Sequence, residues 1–248
     1  MQAQQFKPIL LVAAVAAVGA GYMFGRLDVA SLARDPARLE TIAIGDFTNG
    51  DAAAAFPLFR KLAGKGDPTA AFYLGEMYQY GDGTKEDDAK AAKWLTEAAK
   101  AGKTAAQRQL GLLYLDGEGI AQDLKLSRDW FAKAAGAGDA VALRYMGDLD
   151  AQGLGGPKDE VSAYGYYSAS ASRGNDYSRH LRNQLAATLS AAQQAKGEKL
   201  AEGILASIAS PQKNSAVPTD DAAGKAVSPQ SLLHDQRTAQ PRSPSRQS

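Results

Sequence analysis

Between residues 70 and 99, apolar and small side chains return at helical spacing in two blocks. The first is Ala70, Ala71, Leu74, Met77 and Tyr78, the second Ala91, Trp94, Leu95, Ala98 and Ala99. Positions three and four apart share one helix face, so each block predicts an amphipathic helix. Gly81-Asp82-Gly83 lies between them. Glycine reaches positive φ without a Cβ penalty, which lets the chain turn and lay the second helix antiparallel on the first. Asp87 and Asp88 open that second helix, where carboxylates cap free amides and suit the positive end of the dipole.

The pattern returns 36 residues on. Leu74, Gly75, Tyr78, Trp94 and Gly102 are matched by Leu110, Gly111, Tyr114, Trp130 and Gly138, and a further step gives the more divergent Met146, Gly147, Asp150, Tyr166 and Gly174. Gly102, Gly138 and Gly174 end the second helices, while Asp67, Thr104 and Asp139 stand where first helices begin. A two-helix unit this short cannot bury both faces, so neighbours must complete its core; the fold class is an all-α solenoid of about three such repeats. Gly75 and Gly111 fall inside helices, where glycine costs roughly 1 kcal/mol relative to alanine. Close helix approach is the expected compensation, with Trp94 or Trp130 as the large residue opposite.

The motif A-x3-L-G-x2-Y-x2-G-x-G, then D, W, A-A and G, resembles the Sel-one-like repeat family, a branch of the tetratricopeptide-like α/α superhelices. The resemblance covers about residues 51–174 and is close in copies one and two, while copy three has Asp150 for the tyrosine and Tyr166 for the tryptophan. It implies a protein-binding scaffold rather than a catalyst.

Residues 9–25, from Ile9 to Gly25, are uncharged and apolar, preceded by Lys7 and followed by Arg26. They read as an export element within residues 1–26. One version is a cleavable signal peptide with Val18-Gly19-Ala20 as its cleavage site; the other is an uncleaved membrane anchor. As a helix the run spans roughly 25 Å, near the short limit for crossing a bilayer, and Tyr22 and Arg26 suit an interfacial boundary, which favours the anchor. Lys7 would stay cytoplasmic, placing the repeats in the periplasm of a bacterial-type envelope; after cleavage they would be soluble there or secreted. Residues 27–50 read as a linker and a short helix opened by Asp35-Pro36 and running to about Gly45. The solenoid with its caps spans residues 51–209. Leu62, Ala63 and Gly66 stand 36 residues before Ala98, Ala99 and Gly102, making residues 51–63 an N-terminal cap in which Pro57 predicts a kink or a late start. A helix from Asp176 and another opened by the Ser190–Gln193 capping box close the stack. Residues 210–248 are rich in proline, serine and glutamine and read as a disordered tail.

Composition narrows the function. A net charge of +1 over 248 residues and no Lys/Arg run argue against nucleic acid. Absence of cysteine excludes disulfides and thiolate chemistry. The two histidines, His180 and His234, lie in a closing helix and in the tail, so no zinc site or triad assembles around a pair. Asp82-Gly83 and Asp116-Gly-Glu118-Gly lack the oxygen spacing of a calcium loop and are explained as turns. No catalytic constellation, metal or cofactor is expected. Tyr164, Tyr166, Tyr167 and Tyr177 cluster near the end of the repeats, where core packing is the ordinary reading and a ligand surface the alternative.

The expected function is therefore a non-catalytic, membrane-anchored scaffold binding a protein or peptide. A carbohydrate-associated scaffold for exopolysaccharide export or peptidoglycan work is the alternative, with a cell-wall or β-lactam-acting enzyme behind it. With Leu74, Gly75 and Tyr78 facing neighbouring helices, the positions off that stripe fall toward the inner surface such stacks use for binding. These are Phe72, Glu76, Gln79, Arg108, Leu112, Leu115, Arg144 and Asp148. Arg108 and Arg144, one repeat apart, are expected to read a carboxylate-bearing segment of the partner.

Overall fold

A computed structural model of the protein describes residues 35–209. The export element at residues 9–25 and the tail at 210–248 lie outside the described residues. The chain divides into two units, Met1–Leu39 and Glu40–Ser248. Of the first, residues 35–39 are described; there the Asp35 side chain accepts the Ala37 amide at 3.1 Å and Pro36 takes the first helical position.

The described residues form ten helices and no strand. α1 is Pro36–Thr48, three residues longer than the sequence suggests. α2 (Ala52–Ala63) is the N-terminal cap; it starts at Ala52, ahead of Pro57, because Asp51 caps the Ala54 amide and fixes the start there. Three two-helix repeats follow: α3 (Pro68–Tyr80) with α4 (Asp88–Lys100), α5 (Thr104–Asp116) with α6 (Leu124–Gly136), and α7 (Ala140–Gln152) with α8 (Glu160–Ser172). α9 (Asp176–Ala186) and α10 (Ala191–Ala209) close the stack.

Caps set the starts. Asp67, Asp87, Asp123, Asp139, Asp159 and Asn175 each accept an amide of the first turn they precede. Copy two is the exception: its N-cap is Lys103, with no side-chain cap, and Thr104 is the first helical residue rather than the cap. The Ser190 box forms as the sequence predicts, Gln193 accepting the Ser190 amide at 2.9 Å while its own amide donates to the Ser190 hydroxyl at 3.4 Å.

From α2 to α9 each helix packs on the next. Phe59 of α2 stacks on Tyr73 of α3 with ring centroids 4.9 Å apart, and Phe131 of α6 stacks on Tyr145 of α7 at 4.8 Å, the same contact two repeats on. Between them Leu95 and Gln109 hold the equivalent positions.

The tryptophans do not fill the space opposite the mid-helix glycines. A Cβ on Gly75 would meet Leu95, one on Gly111 would meet Phe131, and one on Gly147 would meet Tyr167, in each case the residue after the repeated aromatic. One residue turns a helix by about 100°, so Trp94 and Trp130 sit half-buried on its flank, with Lys93 and Lys133 over their rings. The second turn glycine carries a further constraint. A Cβ on Gly83, Gly119 or Gly155 would run into the carbonyl oxygen of Ala52, Asp88 or Leu124, the first residue of the preceding second helix. Each turn thus rests on the helix start of the repeat before it.

α10 does not pair with α9 as the second helix of a fourth repeat; it packs on α8 and reaches α6. The face it covers is charged in the earlier copies, with Lys93 and Glu97 in α4 and Asp129 and Lys133 in α6, but carries Gly165 and Ala169 in α8. Gly165 and Gly197 meet at the crossing, where a Cβ on Gly197 would lie 2.6 Å from the Tyr164 ring. Glu198 fixes the register, accepting the Tyr164 hydroxyl at 2.7 Å and the Ser168 hydroxyl at 3.1 Å. Copy three diverges here because its second helix is covered.

Candidate interaction surface

The first helices α3, α5 and α7 carry two kinds of position. Leu74, Leu110 and Met146, with Gly75, Gly111 and Gly147, are buried and nearly constant. Three other rows vary: Phe72, Arg108, Arg144 changes at its first step only, while Glu76, Leu112, Asp148 and Gln79, Leu115, Ala151 change chemistry at both. The eight residues expected on the inner surface are all buried or half-buried, and they divide into separate clusters.

Glu76 is buried, and burial pushes its carboxyl up to about 8; Arg108 attracts its charged form and opposes the shift, while Asp82 adds to it. Arg108 is itself engaged, its Nη1 donating to Asp139 Oδ2 at 3.2 Å while Asp139 Oδ1 caps α7. Gln79 Oε1 accepts from Gln109 Nε2 at 3.3 Å. Leu112 and Leu115 pack against the apolar cluster around Phe131 and Tyr145. Phe72 makes an edge contact with Tyr73.

Arg144 and Asp148 form an ion pair along α7. The Arg144 guanidinium lies 3.8 Å from the centroid of Tyr145, and the Tyr167 hydroxyl donates to Asp148 at 2.8 Å. Burial raises the Asp148 carboxyl above its ordinary range, against the pull of Arg144 and of the Tyr167 hydrogen bond. Arg144 is therefore held inside the fold, and of the two arginines only Arg108, with its side chain 30% exposed, keeps access to a partner. The four tyrosines of copy three separate likewise: Tyr164 and Tyr167 are buried, Tyr166 is half-buried and Tyr177 is exposed.

Sequence reasoning missed Arg128. Its Nη2 donates to Asp150 Oδ1 at 2.6 Å, joining α6 to the end of α7. The signal was a coupled departure from the repeat: Asp150 stands where Tyr78 and Tyr114 stand, and Arg128 stands where Ala92 does. Burial holds the Asp150 carboxyl up, opposed by its hydrogen bond to Arg128. Among the described residues no group of three His, Asp or Glu side chains is placed to hold a metal ion. No helix among them is long and apolar enough to cross a membrane.

The Sel1 repeat pattern matches residues 68–103, 104–139 and 140–175. A Sel1 repeat protein from Oxalobacter formigenes of known crystal structure is 36% identical over 51% of this chain and 95% of its own, with a TM-score of 0.47. A protective antigen of uropathogenic Escherichia coli with an SLR fold is 20% identical over 86% of this chain, with a TM-score of 0.51; this likeness shows the fold alone, and the chain spans half of that protein's length. No curated protein matches the chain.

Proposed function

The chain belongs to the Sel1 repeat family, whose members are generally non-catalytic scaffolds for protein partners, and from that premise we propose that it binds a protein or peptide on the surface of α3, α5 and α7. One observation carries the reading. Within this single chain the framework positions recur with the repeat, whereas the rows beginning at Glu76 and Gln79 change character at each step and the row beginning at Phe72 changes once, from aromatic to arginine. Framework positions are fixed by packing; in the varying rows the members that keep solvent access, Arg108 among them, are where recognition of one particular partner can be written. Phe72, Arg108, Leu112 and Leu115 offer the aromatic, guanidinium and aliphatic groups that dominate interface energies.

The apolar run at residues 9–25 supports anchoring in the inner membrane of a bacterial envelope with the repeats in the periplasm. The test is affinity capture from detergent-solubilised membranes with the parent chain and with Phe72→Ser/Arg108→Gln. The variant should keep its helical circular dichroism and lose the captured partner. Recovery of the same partner in the same amount would show that this surface is not the binding site.

A further inference from the structure

The start of α6, the turn at residues 153–159, the start of α8 and Leu200 of α10 enclose an open cavity of about 410 Å³, within the size range of ligand sites. Arg128, Asp150, Pro157, Tyr166 and Leu200 line it. One repeat earlier Ala92 stands where this cavity has Arg128, and no helix equivalent to α10 covers α4. Arg128 of copy two thus adds a guanidinium, and Leu200 of α10 an apolar wall, that the preceding repeat lacks.

Arg128 has donors to spare. Nη2 is engaged by Asp150 at 2.6 Å and reaches the Leu154 carbonyl at 3.5 Å. Nη1 has no partner among the described residues, and Nε is shut from solvent without one. Nε is closed to a ligand as it is to water, so Nη1 is the donor that an acceptor entering the cavity can reach. The acceptors of the site, by contrast, are taken. The Asp150 side chain is only 8% exposed behind its ion pair. Asp159 Oδ1 accepts the Val161 and Ser162 amides and its Oδ2 accepts the Ser162 hydroxyl. A polyhydroxyl ligand would find few acceptors for its own protons. An anion would meet two carboxylates against one guanidinium.

We propose that this cavity binds an uncharged stretch of peptide, seating one apolar side chain between Pro157, Tyr166 and Leu200 while the adjoining backbone carbonyl accepts from Arg128. Leu200, 36% exposed on α10, supplies the wall that no earlier repeat has. The inference extends the scaffold reading to a second surface that shares no residue with the Phe72–Arg108 row. Failure here leaves the capture experiment with Phe72→Ser/Arg108→Gln standing, and the reverse holds.

The probes are N-acetyl-phenylalaninamide and N-acetyl-leucinamide, titrated into the isotope-labelled full chain and followed by amide NMR, with N-acetyl-phenylalanine and maltose as comparison ligands. Saturable shifts are expected at Gly155, Gly156 and Leu200 with both amides. Leu200→Glu should weaken binding at least tenfold and Leu200→Ala, which keeps the Cβ beside Gly165 at the α8–α10 crossing, at least threefold, with melting temperatures showing that both variants fold. Absence of saturable shifts at these residues, equal binding by Leu200→Glu, or tighter binding of maltose or of the free carboxylate would each overturn the proposal.

Discussion

Phe131 occupies the space a side chain on Gly111 would need: a Cβ there would lie 2.8 Å from both Cδ1 and Cε1 of the ring. The neighbouring Trp130 is half-buried with the Lys133 ammonium 3.7 Å from its ring centroid. Phe131→Ala should therefore destabilise the protein by about 3–5 kcal/mol, and Trp130→Ala by clearly less. Urea denaturation of the two variants checks this. Equal losses would mean that the tryptophan, not the phenylalanine, fills the core.

The turn glycines should rank by what surrounds them. Gly66 has φ +89° with nothing within 4 Å of a Cβ, so Gly66→Ala meets only the left-handed backbone penalty of about 1–2 kcal/mol. Gly119 has φ +69° and also abuts the Asp88 backbone. Gly119→Ala should lose more than Gly66→Ala in the same denaturation series. If the two are equal, the contact between the turn and the preceding repeat carries no weight.

Much of this framework is legible in the residues, and what is not has a physical reason. Leu74, Gly75 and Asp87 declare helix faces and starts because their identities recur with the period. Leu95, Phe131 and Tyr167 do the packing against the glycines but share no identity, so comparison of like residues points one position too early, at Trp94 and Trp130. The placement of α10 was written in Gly165 and Ala169 standing where charged residues stand in the earlier copies. That signal is the loss of charge from one helix face, which has meaning only once a covering helix is known. The candidate surface was legible as rows, but not the internal pairing of Arg144 with Asp148, since a helix pattern leaves open which charges turn inward.

Glu76 sets a pH dependence. Folded, it holds its proton to about pH 8; an unfolded glutamate releases it near 4.5. Between these values the native state binds more protons than the unfolded state, so stability falls as pH rises from about 4.5 to about 8. Glu76→Gln should remove that component, matching the parent near pH 4 and exceeding its stability at pH 8. Thermal melts across the range would refute the assignment if parent and variant ran parallel.

At the crossing of α8 and α10, Gly197→Val should drive a side chain into Tyr164 and loosen α10. Repeats couple mainly to their neighbours, so α3 and α4 should stay protected. Hydrogen exchange should quicken across residues 191–209. Uniform quickening throughout would show that α10 is part of one indivisible core.

On the proposed function, the surface of α3, α5 and α7 holds the partner while the outer faces of α4 and α6 do not. A photo-crosslinking amino acid placed at Gln79 or Arg108, and at Lys93 or Asp129 for comparison, tests it in living cells of the source organism. Discrete adducts of one mass from Gln79 and Arg108, with none from Lys93 or Asp129, are the predicted result. Adducts from Lys93 and Asp129 alone, or the same species from all four positions, would contradict it.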